Sequence, residues 1–198
     1  ILSWQNEHGD WPNNMYTTKK PFSGDRKKPA GTFDNEATTA ELRALARANS
    51  VTGHARNKQA ILKGFDHILK AQYPNGGWPQ FYPLSKGYHR HIPFNDDSMI
   101  RLLQFLRDVT TKEDFGFLDD DRRTAAARAI QKGIDCIVKC QVVVDGAPTV
   151  WCAQHDAESL VPVQARSYEH PSLSGAESVG ILLFLMSLDE PTPEVVRA

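Results

Sequence analysis

Apolar residues recur at helical spacing in two long stretches of the chain. The first stripe contains Ile61, Phe65, Ile68 and Leu69, and the second contains Ile130, Ile134, Ile137 and Val138. Spacings of three and four residues place such side chains on one face of an α-helix. Further helices are predicted over 36–49, 96–109 and 176–188, the last apolar on every side between positions 181 and 186. The pattern predicts an all-α protein whose last helix is buried.

A short motif is repeated along the chain. It consists of two adjacent apolar residues, a Gln, and then a Gly shortly before a Trp. Its copies are Ile1, Leu2, Gln5, Gly9, Trp11 and Pro12, then Ile68, Leu69, Gln72, Gly76, Trp78 and Pro79, and more weakly Ile137, Val138, Gln141, Gly146 and Trp151. Repetition at a fixed period is typical of stacked structural units. We infer helix pairs arranged in an inner and an outer ring, an (α/α)3 toroid.

A long loop rich in Gly and Pro follows each copy of the motif. In such a toroid these loops emerge at the same end, and long loops are usually functional or disordered. The functional site is therefore expected on that face. The sequence begins in an apolar run without Met, and Thr192, Pro193 and Glu194 predict a helix start close to its end. We expect residues 1–198 to be an incomplete part of a single toroidal domain.

Composition excludes several classes of protein. The 198 residues are 40% hydrophobic, and 23 Lys and Arg residues balance 24 Asp and Glu residues. No apolar run approaches the ~20 residues of a membrane span, and no basic excess indicates a nucleic-acid partner. Cys136, Cys140 and Cys152 lack the paired spacing of a zinc site. Buried thiols are the favoured interpretation, with a Cys140–Cys152 disulfide as the alternative.

Two carboxylates occupy equivalent positions at predicted helix starts. Asp34 follows Phe33 at the end of the first loop, and Asp96 follows Phe94 and Asn95 at the end of the second. Both could simply cap their helices. Alternatively, both could point into a shared cleft, where oxygen ligands from two repeats could bind a hard cation such as calcium. The first loop is also basic: it carries Lys19, Lys20, Arg26, Lys27 and Lys28.

The third loop carries an arginine that could meet an anionic substrate. Arg166 could pair with a neighbouring acid, or its planar fork could clamp a substrate carboxylate. Among the loop aromatics, Trp78, Trp151 and Tyr168 could pack the loop bases or offer a ring face to a sugar. The motifs HExxH and GxSxG are absent from the sequence, which disfavours zinc and a hydrolase triad.

Several longer motifs resemble those of one enzyme family. They are Gln72-Tyr73-Pro74-Asn75-Gly76-Gly77-Trp78-Pro79-Gln80-Phe81-Tyr82-Pro83, Phe94-Asn95-Asp96-Asp97, Trp151-Cys152-Ala153-Gln154-His155-Asp156 and Pro171-Ser172-Leu173-Ser174-Gly175. On these residues the chain resembles pectate lyases of polysaccharide lyase family 10, from about position 9 to its end. The resemblance implies an (α/α)3 toroid that cleaves polygalacturonate by calcium-assisted anti β-elimination. It also implies a secreted enzyme, which we expect to be a monomer.

The resemblance assigns roles to individual residues. Asp34 and Asp96 match the catalytic, calcium-associated aspartates, with Asn35 and Asp97 as supporting ligands. Arg166 matches an arginine that binds the substrate carboxylate. The base of the family is itself an arginine, which we expect beyond Ala198. Glu36 departs from the family, which often has a small residue there, and this departure changes the charge around the metal.

Two other functions remain open at this stage. The first is a toroid that binds acidic polysaccharide without cleaving it. The second is a glycoside hydrolase on an α/α toroid, with two carboxylates acting as acid and as nucleophile or base.

Overall fold

The predicted helices are present in a computed structural model that describes residues 1–25, 27 and 30–198. They are α1 (Thr39–Thr52), α2 (Ala55–Ala71), α3 (Ser98–Thr111), α4 (Asp120–Cys140), α5 (Gly175–Met186) and α6 (Pro193–Arg197). Four two-residue strands lie in the loops: β1 (Ile92–Pro93), β2 (Val143–Val144), β3 (Ala147–Pro148) and β4 (Gln154–His155). Strands β1 and β4 pair antiparallel, as do β2 and β3. The all-α prediction is confirmed. Arg26 and Lys28 of the basic loop lie outside the described residues.

The helices form two layers of the kind that a ring of helix pairs requires. Helix α1 packs against α2, and α3 packs against α4. Between pairs, α1 contacts α3 and α3 contacts α5, while α2 contacts α4. One layer therefore contains α1, α3 and α5, and the other contains α2 and α4. No helix among the described residues is long and apolar enough to cross a membrane.

Helix α5 is buried on one side only, which differs from the prediction of a fully buried helix. Ile181 and Phe184 lie in the core, whereas Leu183 and Met186 are exposed. The neighbour that covers the buried side is α3. The apolar composition of α5 therefore predicted a helix correctly. It did not predict which sides of that helix are buried among the described residues.

The glutamine of each motif copy makes the same pair of hydrogen bonds. Each side-chain amide donates one hydrogen bond to a loop carbonyl before the motif Trp and another to a carbonyl in or directly after a later helix. The sets are Gln5 with Gly9 and Ala60, Gln72 with Gly76 and Ala129, and Gln141 with Thr149 and Ala198, at 2.7 to 3.1 Å. Both amide hydrogens are thereby satisfied, as a largely buried amide requires.

The motif tryptophans are core residues, which corrects the expectation for Trp78 and Trp151. Their indole Nε1 atoms donate to Ile68 O (2.9 Å) and Ile137 O (2.7 Å), the first residues of their own motif copies. The side chains are 1% and 0% exposed. Since protein atoms cover both faces of each ring, neither ring can stack on a sugar.

The third copy of the motif contains an inserted hairpin. The sequence alignment places Gly146 opposite Gly9 and Gly76. In the structure, the carbonyl that accepts from the motif Gln belongs to Thr149 instead. Strands β2 and β3 form a hairpin before it, and this hairpin lengthens the spacing to Trp151. All three cysteines are buried free thiols, as favoured, and the alternative Cys140–Cys152 disulfide is not formed.

Candidate active site between the three long loops

The three long loops meet at one face, as the toroid predicts. Phe33 N donates to Gln80 O (3.1 Å), which joins the first loop to the second. The β1–β4 pair and the bond from Gln154 Nε2 to Tyr88 O (2.9 Å) join the second to the third. Backbone hydrogen bonds of this kind fix the relative positions of the loops. Residues far apart in the sequence are thereby held around one space.

A cavity of about 400 Å³ lies between these loops. Five of the predicted site residues line it: Asp34, Asn35, Asp96, Arg166 and Tyr168. Further lining residues with polar side chains are Gln80, Tyr88, Asn95, Gln154, Glu169 and His170. Asp34 and Asp96, which belong to different repeats, therefore lie at the same cavity.

Asp34 and Asp96 lie in two similar short turns rather than at helix caps. The first acidic turn is Asp34–Glu36 and the second is Asn95–Asp97, each a 3-10 turn that precedes a helix, and the two turns contact each other. Asn35 and Asp96 have left-handed backbones, with φ of 49° and 52°. The α1 cap is Thr38, which forms a capping box with Glu41. The cap interpretation is therefore wrong for both aspartates.

Each of these aspartates is held by a neighbouring amide. Asn35 Nδ2 donates to Asp34 Oδ2 (3.2 Å), and Asn95 Nδ2 donates to Asp96 Oδ2 (2.7 Å). Ser98 Oγ lies 3.5 Å from Asp34 Oδ1, at the limit of a hydrogen bond. The amide bonds orient the carboxylates and leave lone pairs of both available to a ligand.

Asp97, expected as a supporting ligand, points elsewhere. It is not among the described residues that line the cavity. A Cβ atom added to Gly180 of α5 would lie 2.1 Å from Asp97 Oδ1, so the carboxylate packs against that helix. Burial, followed by the charges of Glu177 and Asp96, raises the pKa of Asp97. The structure thus separates Asp97 from the cavity that Asp34 and Asp96 share.

Arg166 lies at the cavity and is paired with an acid. Its Nε donates to Glu169 Oε2 (2.8 Å), and its Nη2 forms a further ion pair with the same carboxylate. These bonds raise the pKa of Arg166 and lower that of Glu169. The guanidinium carbon lies 5.2 Å from the ring centroid of Tyr168, which is 70% exposed. The pairing of Arg166 with an acid is therefore confirmed, while its role in binding a substrate carboxylate stays a prediction for a residue that lines the cavity.

The fold is shared with known polysaccharide lyases. The sequence model of a family described as pectic acid lyase matches residues 5–198. The chain belongs to this family. One similar solved structure is a mutant of a family 10 polysaccharide lyase from Cellvibrio cellulosa in complex with trigalacturonic acid, with 39% identity and a TM-score of 0.92. Another is the family 10 polysaccharide lyase from the same organism, with 40% identity and a TM-score of 0.90.

These matches cover nearly all of this chain but only part of each solved chain. The first covers 100% of this chain and 62% of the solved chain, and the second covers 98% and 60%. The chain thus spans about three fifths of the length of either solved protein. Among curated proteins, none matches this chain. The resemblance to family 10 lyases and the all-α toroidal fold are both confirmed.

The donor set at the two acidic turns fits a hard cation. Calcium in proteins takes six to eight oxygen ligands, including carboxylates, amide carbonyls and water. Asp34, Asn35 and Asp96 offer such oxygens on one cavity wall. Within the described ranges, no cluster of three or more His, Cys, Asp or Glu side chains could hold a metal by itself. A calcium ion between the two acidic turns would therefore need the amide of Asn35, a backbone carbonyl, water or a substrate oxygen in addition.

Sequence reasoning missed several residues of this site in the pectic acid lyase fold. Tyr88 and His170 line the cavity, and Arg101 of α3 contacts both acidic turns. Tyr88 and His170 lie in loops whose course depends on tertiary contacts. For Arg101 a weak signal existed, since it lies little more than one helical turn beyond Asp96.

Proposed function

We propose that this chain is part of a secreted pectate lyase that cleaves polygalacturonate by calcium-assisted anti β-elimination. The observation that carries the proposal is the placement of Asp34 and Asp96, from two different repeats, on one wall of a cavity with Arg166. Membership of the pectic acid lyase family and the solved relative in complex with trigalacturonic acid support the substrate class.

The reaction requires stabilisation of negative charge on the substrate. It removes the C5 proton of a galacturonate residue and breaks the C4–O bond to the neighbouring sugar. The C5 proton is adjacent to a carboxylate and is barely acidic while that carboxylate keeps its full negative charge. A bound calcium ion supplies positive charge that offsets the anion as it develops. The protein must therefore bring cations to the substrate carboxylate.

The acidic turns provide the cation-binding part of this task. Asp34 and Asp96 present carboxylates that Asn35 and Asn95 hold in place. Without a cation these carboxylates would repel a polyuronate, since both carry its sign of charge. A divalent cation between the wall and the substrate would convert this repulsion into attraction. The acidic wall therefore favours a metal-dependent lyase over a protein that binds the polymer without a metal.

Arg166 provides a second positive charge. Its pairing with Glu169 raises its pKa, so the guanidinium remains protonated at neutral pH. Nε and Nη2 are directed at Glu169, which leaves other N–H groups for a substrate carboxylate. The exposed ring of Tyr168 beside it can cover a sugar face.

An assay of the full-length protein with polygalacturonate tests the proposal. We expect ultraviolet absorbance from a 4,5-unsaturated product that requires calcium and disappears on addition of a chelator. Polymer binding without absorbance would instead indicate a non-catalytic binding toroid. New reducing ends without unsaturation, insensitive to the chelator, would indicate a glycoside hydrolase.

A further inference from the structure

Arg101 of α3 connects the two acidic turns. Its Nε donates to Asp96 O (3.0 Å) in the second turn, and its Nη1 forms an ion pair with the Glu36 carboxylate in the first. Burial lowers the pKa of Arg101, and the charge of nearby Asp34 opposes this change. One guanidinium therefore contacts a turn from each of the first two repeats.

The turns that Arg101 connects have unusual backbone conformations. In the first turn Asn35 and Glu36 have φ of 49° and 63°, and in the second Asp96 and Asp97 have φ of 52° and 57°. Left-handed conformations of residues other than glycine persist only when surrounding contacts hold them. Asp97 packs against Gly180 on one side of the second turn, and Arg101 binds the carbonyl of Asp96.

We propose that Arg101 is a positioning residue that fixes the separation of Asp34 and Asp96 and thereby sets the calcium affinity of the site. This inference rests on the proposed function, because calcium is the ligand whose binding it concerns. The guanidinium suits the role because its rigid fork bonds a carbonyl and a carboxylate at the same time. A lysine ammonium has the same charge and lacks that fork. Glu36 supplies the partner in the first turn.

Charge and geometry predict opposite results when Arg101 is replaced. As a cation beside a cation site, Arg101 repels calcium, so its removal would tighten binding if charge dominated. As a positioning residue, Arg101 holds Asp34 and Asp96 at the distance that a calcium ion requires, so its removal would weaken calcium binding. Residues that orient metal ligands typically contribute ~10- to 100-fold to metal affinity. The direction of the change therefore separates the two effects.

Calcium binding to the full-length protein, measured by titration calorimetry without substrate, tests the inference. We expect Arg101→Lys to weaken calcium binding ~10-fold or more, and Arg101→Gln to weaken it as well. The unfolding midpoint measured without calcium should stay within error of the wild-type value. Arg107→Lys is the matched control, since Arg107 lies on the same helix and bonds Ser187 Oγ (2.7 Å) away from the turns. It should bind calcium like the wild type.

Two further measurements sharpen the test. In the lyase assay, the half-saturating calcium concentration of Arg101→Lys should rise ~10-fold while its rate at saturating calcium is recovered. Glu36→Gln removes the carboxylate that pairs with Arg101 in the first turn, at an exposed position, and should also weaken calcium binding. Combined with Arg101→Lys, it should weaken binding by less than the product of the single effects, because both act through one contact.

The outcomes separate this inference from the function on which it rests. Wild-type affinity in Arg101→Lys, or tighter binding by Arg101→Gln, overturns the positioning role alone. Absence of calcium binding by the wild-type protein overturns the cation site, and the positioning role with it.

Discussion

The base of the loops and the wall of the cavity use the repeats in different ways. At the base, which we call the anchor layer, Gln5, Gln72 and Gln141 with Trp11, Trp78 and Trp151 form the same set of hydrogen bonds in every copy. At the cavity wall, the first two repeats contribute acidic turns and the third contributes the Arg166–Glu169 pair. Repetition therefore serves packing, whereas divergence between the repeats provides the chemistry.

A second contrast lies within the anchor layer itself. In the first repeat, Asp10 and His67 are both buried, with Oδ2 and Nε2 3.4 Å apart. In the second repeat the corresponding residues are Gly77 and Cys136, and a Cβ atom added to Gly77 would lie 3.4 Å from Cys136 Sγ. One position thus holds a polar pair in one copy and a nearly apolar pair in the next. The anchor geometry does not depend on that choice.

The largest effect is expected from Gly76→Ala in the anchor layer. Gly76 has φ of +98°, and an added Cβ atom would lie 1.9 Å from Lys132 O, a backbone atom that cannot move aside alone. We expect a loss of at least ~4 kcal/mol in the free energy of unfolding, measured with urea. Gly87→Ala is the control: φ is +80°, and no described atom lies within 4 Å of the added Cβ. It should lose ~1 kcal/mol. Equal losses would contradict the close approach.

The Asp10–His67 pair provides the next test. His67→Ala leaves a buried carboxylate without its partner, and we expect it to cost ~3 kcal/mol of unfolding free energy. The double variant Asp10→Gly with His67→Cys copies the second repeat and should recover most of that loss, because it leaves neither polar side chain buried without its partner. Unfolding of both single variants and the double variant gives the coupling energy. Additive losses would show that the two side chains act independently.

At the cavity wall, Asp96→Ala should abolish function without affecting the fold. We expect kcat/KM on polygalacturonate to fall at least ~100-fold, about 2.7 kcal/mol of transition-state stabilisation. The calcium response should be lost, while helical content and the unfolding midpoint stay unchanged. Asp135→Ala, at an exposed site on α4, is the control and should retain full activity. Full activity of Asp96→Ala would remove Asp96 from the mechanism.

The anchor layer was largely predictable from the sequence, and the wall only in part. The period of Ile, Gln, Gly and Trp gave the helix pairs and the common face of the loops, because these residues serve the same packing in each copy. The orientation of side chains on the wall depends on contacts between distant segments. Asp97 follows Asp96 directly, yet its carboxylate packs on α5, since two consecutive left-handed residues turn the chain. Local spacing carries no signal for that turn.

The loop segment behind the cavity wall should be sensitive to acid, because it holds a buried histidine. His155 lies on β4, where Nδ1 bonds Leu160 O (2.8 Å) and Nε2 accepts from Cys152 N (3.2 Å). Burial lowers the pKa of His155, while the bond to Leu160 O opposes the change. The folded state thus favours neutral His155, whereas the unfolded state binds a proton near pH ~6.5.

Stability should therefore be constant above that pH and fall as the pH drops below it. The slope contributed by this residue is at most ~1.4 kcal/mol per pH unit and ends at the folded-state pKa. Urea unfolding between pH 8 and 5 measures this slope. The variant His155→Gln should lack the contribution of His155, so its plot of unfolding free energy against pH should run parallel to that of the wild type at high pH. An identical slope in the variant would assign the acid sensitivity to other groups.

The smallest effect is expected from Arg166→Lys, which tests whether the third repeat contributes to substrate binding. Lysine keeps the charge but cannot form two parallel bonds to a carboxylate. We expect KM for polygalacturonate to rise ~3- to 10-fold, or kcat to fall by a similar factor. The unfolding midpoint should not change, because an exposed ion pair stabilises little. Glu169→Gln keeps the guanidinium and weakens its internal pairing, so its KM should fall or stay the same. Unchanged kinetics in Arg166→Lys would make Arg166 a structural partner of Glu169 and leave the chemistry of the wall to the two acidic turns.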